Sequence, residues 1–349
     1  MEIVVTYDNP RNVDEWNALC KECGNYLQTT MRSELSKFYG QRQVYFEVVD
    51  NVRIVGGVKL EIWQSKKIGF LIPKISKSLS QFGEYILRCD CEKTDVVVRL
   101  LNQRIAEYVN EERIVTFSVK GFYSSEYIST NHSLLYEDSG RKVFSQVDFD
   151  VAYIDLTKSI ADIYAGMHMK HRNMISKAKR QGLDFEKIDC DPQIMNMMLS
   201  ETYSVQNKKS PNRQYIEKEI DVGRKSGISR MYVCRMGDVI LSCALVNVYG
   251  KTADYSFGGN RKNDCGAGQY LQYNICNDLK RSGVEWYSLG QVAKTIDENN
   301  LKFSEGITRF KMRFGCKRYP SKKVLYVFSP VKYWVWRTLC KIFIGDCRN

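Results

Sequence analysis

"YSFGGNRKNDCGAGQYLQYNICNDLKRSGVEWYSLG" occupies residues 255–290. It reads as a strand end, a glycine-rich loop, a helix and a second strand. The loop places Gly258, Gly259, Gly266 and Gly268 within eleven residues. Leu271, Ile275 and Leu279 then recur at four-residue steps until Gly283, which predicts a helix over 268–282. "VEWYSLG" (284–290) follows as a strand. A glycine-rich loop that opens a helix brings backbone N–H groups close to a phosphate, and the helix dipole favours the anion. An ordinary strand-to-helix turn uses the same residues, so the loop alone leaves both readings open.

Outward from this unit, strands and helices alternate. "QVYFEVVD" (43–50) and "VRIVGGVKLEIW" (52–63) predict a hairpin across Asp50-Asn51. "RMYVCRMGDVILSCALVNVYG" (230–250) predicts another across Gly237-Asp238. The two hairpins share a pattern, an internal repeat better in form than in letters. Helices are predicted over 13–23, 30–39, 94–111, 167–181 and 192–206. The class is therefore mixed α/β. A boundary near residue 150 follows the polar loop "YEDSGRK" (136–142) and its next strand.

The bulk figures bound the function. A chain of 349 residues suits about two domains, and 44% hydrophobic with 26% charged residues is globular. The formal charge of +12 suits a polyanionic partner, although a basic soluble protein carries the same charge. Twelve cysteines include only two close pairs, Cys20/Cys23 and Cys89/Cys91, with no second pair at zinc spacing. No metal site is expected, and thiol richness without a secretion signal suggests a reducing cytoplasm. No apolar run is long enough to span a bilayer.

Three stretches carry a resemblance. They are "MKHRNMISKAKRQGLDFEKI" (169–188), the 255–290 unit, and "GITRFKMRFGCKRYP" (306–320). In this order and spacing the chain resembles the Fem-like (FemAB/FemX-type) branch of the GNAT acyltransferase superfamily. "YLQTTMRSELSKFYG" (26–40) and the first hairpin extend the likeness to nearly the whole chain. The resemblance implies an α/β fold of two tandem GNAT-like domains, each a mixed central sheet with flanking helices. Residues 1–150 would form a first, acceptor-side domain and 151–330 a second domain with the donor site. Residues 331–349 would be a C-terminal aromatic and basic helix on the first domain or a membrane surface.

The implied chemistry is amide formation by an N-acyltransferase, on the amine of a cell-envelope sugar or peptide precursor. The acceptor would be nucleotide- or lipid-linked. Acyl-CoA is the implied co-substrate, with aminoacyl-tRNA as the alternative and no tightly bound cofactor. GNAT enzymes hold the CoA pyrophosphate on a loop whose frame here is Asn263, Gly266 and Gly268; Asn263 replaces the usual long basic residue, and Arg261 supplies charge nearby. Lys311 in "RFKMRFG" occupies the place of the acid Tyr of many GNATs, as in the Fem aminoacyltransferases. A positioned ammonium there stabilises an oxyanion. The same letters also suit a solvent-facing lysine beside a Phe310/Phe314 core pair. Arg172 and Lys177 are the expected phosphate ligands, by the forked guanidinium of the first and the charge of the second. His132, His168 and His171 are the only histidines, and none is assigned as a base. A non-catalytic RNA- or anion-binding double-GNAT module would use the same basic surface.

Overall fold

From Gln43 to Val49 every residue is buried, as expected of a strand covered on both faces. The computed structural model describes residues 1–23, 25–64, 74–121, 134–138, 140, 143–205, 207–262, 264–293 and 301–343, excepting the side chains of 301–304 and 340–343. The chain divides into two compact units, Met1–Asp148 with Ser321–Asn349, and Phe149–Pro320. The sequence reading carried the second domain on to 330; in the structure the chain returns to the first unit at Ser321.

The first unit begins with β1 (Glu2–Tyr7), α1 (Val13–Glu22), α2 (Thr30–Phe38), β2 (Arg42–Asp50) and β3 (Arg53–Trp63). Asn12 caps α1 and Thr29 caps α2, each accepting from a first-turn backbone N–H. β2 and β3 form the first predicted hairpin. β4 (Ser78–Phe82), β5 (Ile86–Leu87), α3 (Thr94–Glu111) and β6 (Thr116–Lys120) follow. Helix α3, predicted over 94–111, turns Val97, Leu101 and Ile105 into the core. It carries the chain from β4 to the parallel β6.

The second unit contains β7 (Ser145–Asp155), α4 (Ile160–Gly166), α5 (Met169–Arg180), β8 (Asp184–Ile188), α6 (Pro192–Val205) and α7 (Arg213–Lys225). Next come β9 (Ser229–Met236), β10 (Val239–Tyr249), β11 (Thr252–Asn260), α8 (Ala267–Arg281), β12 (Trp286–Ala293) and α9 (Leu301–Met312). β13 (Lys317–Val327) and α10 (Pro330–Phe343) lead back into the first unit. In the second unit the strand order is β7-β12-β11-β10-β9-β8; in the first it is β1-β2-β3-β4-β6-β13. The second sheet is covered on both faces. Ile175 of α5 and Leu271 and Ile275 of α8 join one core cluster. Met195 and Met198 of α6 join Ile216 and Ile220 of α7 in the other.

Candidate active site

β11 and β12 run parallel but pair only at Thr252↔Trp286, Ala253↔Tyr287 and Asp254↔Ser288. Beyond that point β11 stays on β10 as far as Asn260, and β12 stays on β7 as far as Ala293. The two strands therefore part. Each outer pairing carries a register shift near the fork, at Leu245/Val246 and at Ser288/Gly290, and an extra residue bends a strand. Gly290 sits at φ +78, a conformation that suits glycine. The freed backbone groups need other partners. Arg261 N donates to Leu241 O, so the alternation of the ladder turns Asn260 away from β10. Thr202 of α6 meets it there: its hydroxyl accepts from Asn260 N at 2.7 Å and lies 3.1 Å from Asn260 O. The result is a slot with residues 255–259 on one lip and 289–293 on the other.

Lys311 reaches the second lip. Its Nζ donates to Gln291 O at 2.9 Å and lies 3.6 Å from where a Cβ on Gly290 would be. The side chain is half-buried, and burial pushes its ammonium down to about 8. Among the described residues no carboxylate pairs with it. The helix end that carries it is clamped. His171 of α5 is buried, and its Nε2 donates to Phe310 O at 2.9 Å. His168 N donates to Arg313 O at 2.9 Å, and Cys316 Sγ donates to Lys311 O at 3.3 Å. Burial holds the His171 imidazole neutral, down to about 4, and the Arg313 charge adds to this against the Phe310 hydrogen bond. His171 is thus a fixed N–H donor rather than a base.

Asp254 marks the vertex of the fork. It is the last residue of β11 to pair with β12. Burial raises its carboxyl to about 6, against a hydrogen bond from Ser288. Ser288 and Gln291 are three residues apart, so the carboxylate and the Lys311 anchor are separated by roughly 10 Å along the strand. Asp254, whose carboxyl gains a proton near pH 6, thus ends the pairing of β11 with β12, and the Lys311 ammonium, which loses one near pH 8, lies on the β12 lip. Their charges are suited to taking a proton and stabilising an oxyanion.

No family model matches the sequence and no curated protein matches it significantly. Solved structures do match the fold. The crystal structure of FemX superposes with a TM-score of 0.71 at 13% identity, over 98% of this chain and 100% of its own. The chain has the FemX fold. A tandem GNAT protein from the clavulanic acid biosynthesis pathway matches at a TM-score of 0.54 and 10% identity, covering 94% of this chain and 99% of that one. L-PGS from Bacillus licheniformis matches at 0.53 and 14%, covering 97% and 98%. The molecule is thus a tandem GNAT fold of the Fem-like form.

Within the FemX fold, the residues expected to bind phosphate have structural partners. Gly266 caps α8 at φ +82, and a Cβ there would meet Met174 O at 2.6 Å. The glycine lets α8 pack against α5. A Cβ on Gly268 would meet Asn260 Oδ1 at 2.8 Å. Asn263 lies outside the described residues. Lys177 Nζ binds the Asp264 carboxylate at 3.0 Å and its carbonyl at 2.9 Å, tying α5 to the loop. Arg261 pairs with Glu201 at 2.9 Å. Arg172 donates through Nη1 to Ala165 O at 2.8 Å and to Met167 O at 2.5 Å, closing the end of α4. Lys177, Gly266 and the loop come together; Arg172 lies at the opposite end of α5 from Lys177, and Lys311 on the other lip. Among the described residues no side chain caps α8, whose first turn carries the positive end of the helix dipole. A cleft of about 410 Å³ between α6 and α7, lined by Gln193, Asn196, Met197 and Arg213, contains none of these residues.

Sequence reasoning missed Asp254 and Thr202. Asp254 did leave a signal, being the one charged residue of the strand "TADYSFGGN". Thr202 left none, because its role depends on where two distant strands part.

Proposed function

We propose that the protein is an amide-forming N-acyltransferase whose acceptor is the amine of a cell-envelope sugar or peptide precursor. The observation that supports this reading is the forked pair β11/β12 with the Lys311 ammonium on its lip. The donor's acyl group enters the slot. The acceptor nitrogen attacks the acyl carbon, and the carbonyl π electrons move to oxygen, where Lys311 stabilises the negative charge. Asp254 accepts the proton of the attacking nitrogen through an intervening water. Collapse of the tetrahedral intermediate re-forms the carbonyl and expels the donor's leaving group.

Acyl-CoA is the first donor, its pyrophosphate facing the uncapped start of α8. A specific observation favours aminoacyl-tRNA as a second reading: Arg261 and Lys177, expected beside a pyrophosphate, each already have a carboxylate partner. The deciding experiment incubates the protein with amino-sugar nucleotides and peptidoglycan precursors, and with each donor class, and follows acceptor mass. An acyl-mass gain with one donor, lost in Lys311→Met, is expected. No gain with any donor, together with tight RNA binding, would replace this reading with that of a non-catalytic module.

A further inference from the structure

Helix α10 has two faces that are both aromatic. Tyr333 packs edge-on against Phe144 with centroids 5.3 Å apart, and Trp336 packs on Trp63 at 5.6 Å. These contacts set the helix's rotation on the first unit. At roughly 100° per residue, the opposite face then carries Val331 and Trp334, with Thr338 between them and Val335 beside Val331. Val331 is 75% exposed and Trp334 68% exposed. The Thr338 hydroxyl donates to Trp334 O at 2.9 Å, so this face offers little unsatisfied polarity. Beside the helix Phe144 is 54% exposed, and three residues along the chain Val147 is 57% exposed. Lys332 and Arg337 fall on the two borders of the outward face, one on each side.

A helix held by one aromatic face needs no second one for its own packing. An outward tryptophan is costly in water and is placed where one end of the ring meets apolar matter and the other stays wet. The charge pattern identifies the matter. Within α10 the charged residues are Lys332, Arg337 and Lys341, with no Asp or Glu. Such a rim attracts an anionic surface and offers nothing to a basic one. Nucleic acid would satisfy the charges but not Val331 and Val147. No described helix is long and apolar enough to cross a membrane, so the contact lies in the interface plane.

We propose that the outward face of α10, with Phe144 and Val147, docks the protein peripherally on an anionic phospholipid surface. The proposal is independent of the chemistry at Lys311. Its test is co-sedimentation of the full chain with phosphatidylcholine vesicles, with and without phosphatidylglycerol, at low and high salt. Binding should require phosphatidylglycerol and fall with salt. Lys332→Gln with Arg337→Gln should weaken it by about 25-fold, since each basic residue near the surface contributes about fivefold. Trp334→Ser should weaken it several-fold, with an unchanged melting temperature because the side chain is exposed. Equal binding by the wild type and both variants, or no preference for phosphatidylglycerol, would overturn the proposal. So would a concentration-dependent dimer abolished by Trp334→Ser, which would assign the face to a second copy.

Discussion

The two units each contain one parallel crossover, and the two crossovers differ at one point. In the first unit, β4 and β6 flank α3 and pair along their whole length, from Ser78↔Thr116 to Phe82↔Lys120. In the second, β11 and β12 flank α8 and pair for three residues before they part. The same β-α-β connection is closed in one copy and open in the other. Both outer pairings of the open copy have register shifts near the fork, and a positive-φ glycine sits on its second lip. A closed pair satisfies its own backbone and leaves no slot. An open one must have its edge groups met by something else, as Thr202 meets Asn260. Repeating the fold therefore does not repeat the site, and the chemistry is expected only where the ladder stops.

The largest test of this contrast is Lys311→Met. Removing a preorganised cation from the open fork should lower turnover by about 10²-fold or more, ~3 kcal/mol, with the fold intact. Turnover within twofold of wild type, at saturating donor, would remove the lysine from the mechanism.

Acid should weaken the clamp behind that lysine by nearly as much. The folded His171 titrates near 4 and its unfolded form near 6.5. Between these values the unfolded chain binds the extra proton, so stability is full above pH 6.5 and falls as the pH drops towards 4, by up to about 3 kcal/mol. Urea melts of wild type and His171→Gln across this range check it: the variant should start less stable and show a flatter acid slope.

Next in size is Asp254→Asn, expected to reduce turnover by ~10²-fold through loss of the proton acceptor. In the wild type, activity should rise through about pH 6 as Asp254 ionises and fall through about pH 8 as Lys311 loses its proton. The asparagine variant should lose the acid limb only. A profile that keeps this limb would assign it to another group.

The smallest effect belongs to the closed copy. Lys120 ends β6 opposite Lys323 of β13, in the unit without a fork. Lys120→Gln should leave turnover at saturating acceptor within about twofold, the range of changes away from a site. A loss comparable to that of Lys311→Met would mean that the closed pair takes part in donor chemistry and that the contrast is misplaced.

Much of the fold could be read from local signals. The four-residue steps of Leu271, Ile275 and Leu279 marked α8, and the polar turns marked both hairpins. Helices α4, α7 and α9 escaped notice. Of these, α7 presents its apolar face only as Ile216, Ile220 and Val222 among charges. Lys311 was legible as a candidate because "RFKMRFG" resembles the motif of the Fem aminoacyltransferases.

By itself, then, the sequence determined a mixed α/β chain of about two domains, because helical periodicity, strand alternation and turn residues act over a few positions, while Lys311 became worth testing only through the likeness of "RFKMRFG" to the Fem-like motif. The tertiary structure decided what those residues do. Gly266 proved to be the contact that admits Met174 of α5, Lys177 a tie to Asp264, and His171 a buried clamp on Phe310. Asp254 became a weak acid only when burial raised its carboxyl. The fork itself depends on the residue at which β11 and β12, separated by a whole helix, cease to share hydrogen bonds. That register is set by bulges against third and fourth strands, a non-local balance that no window of the sequence contains.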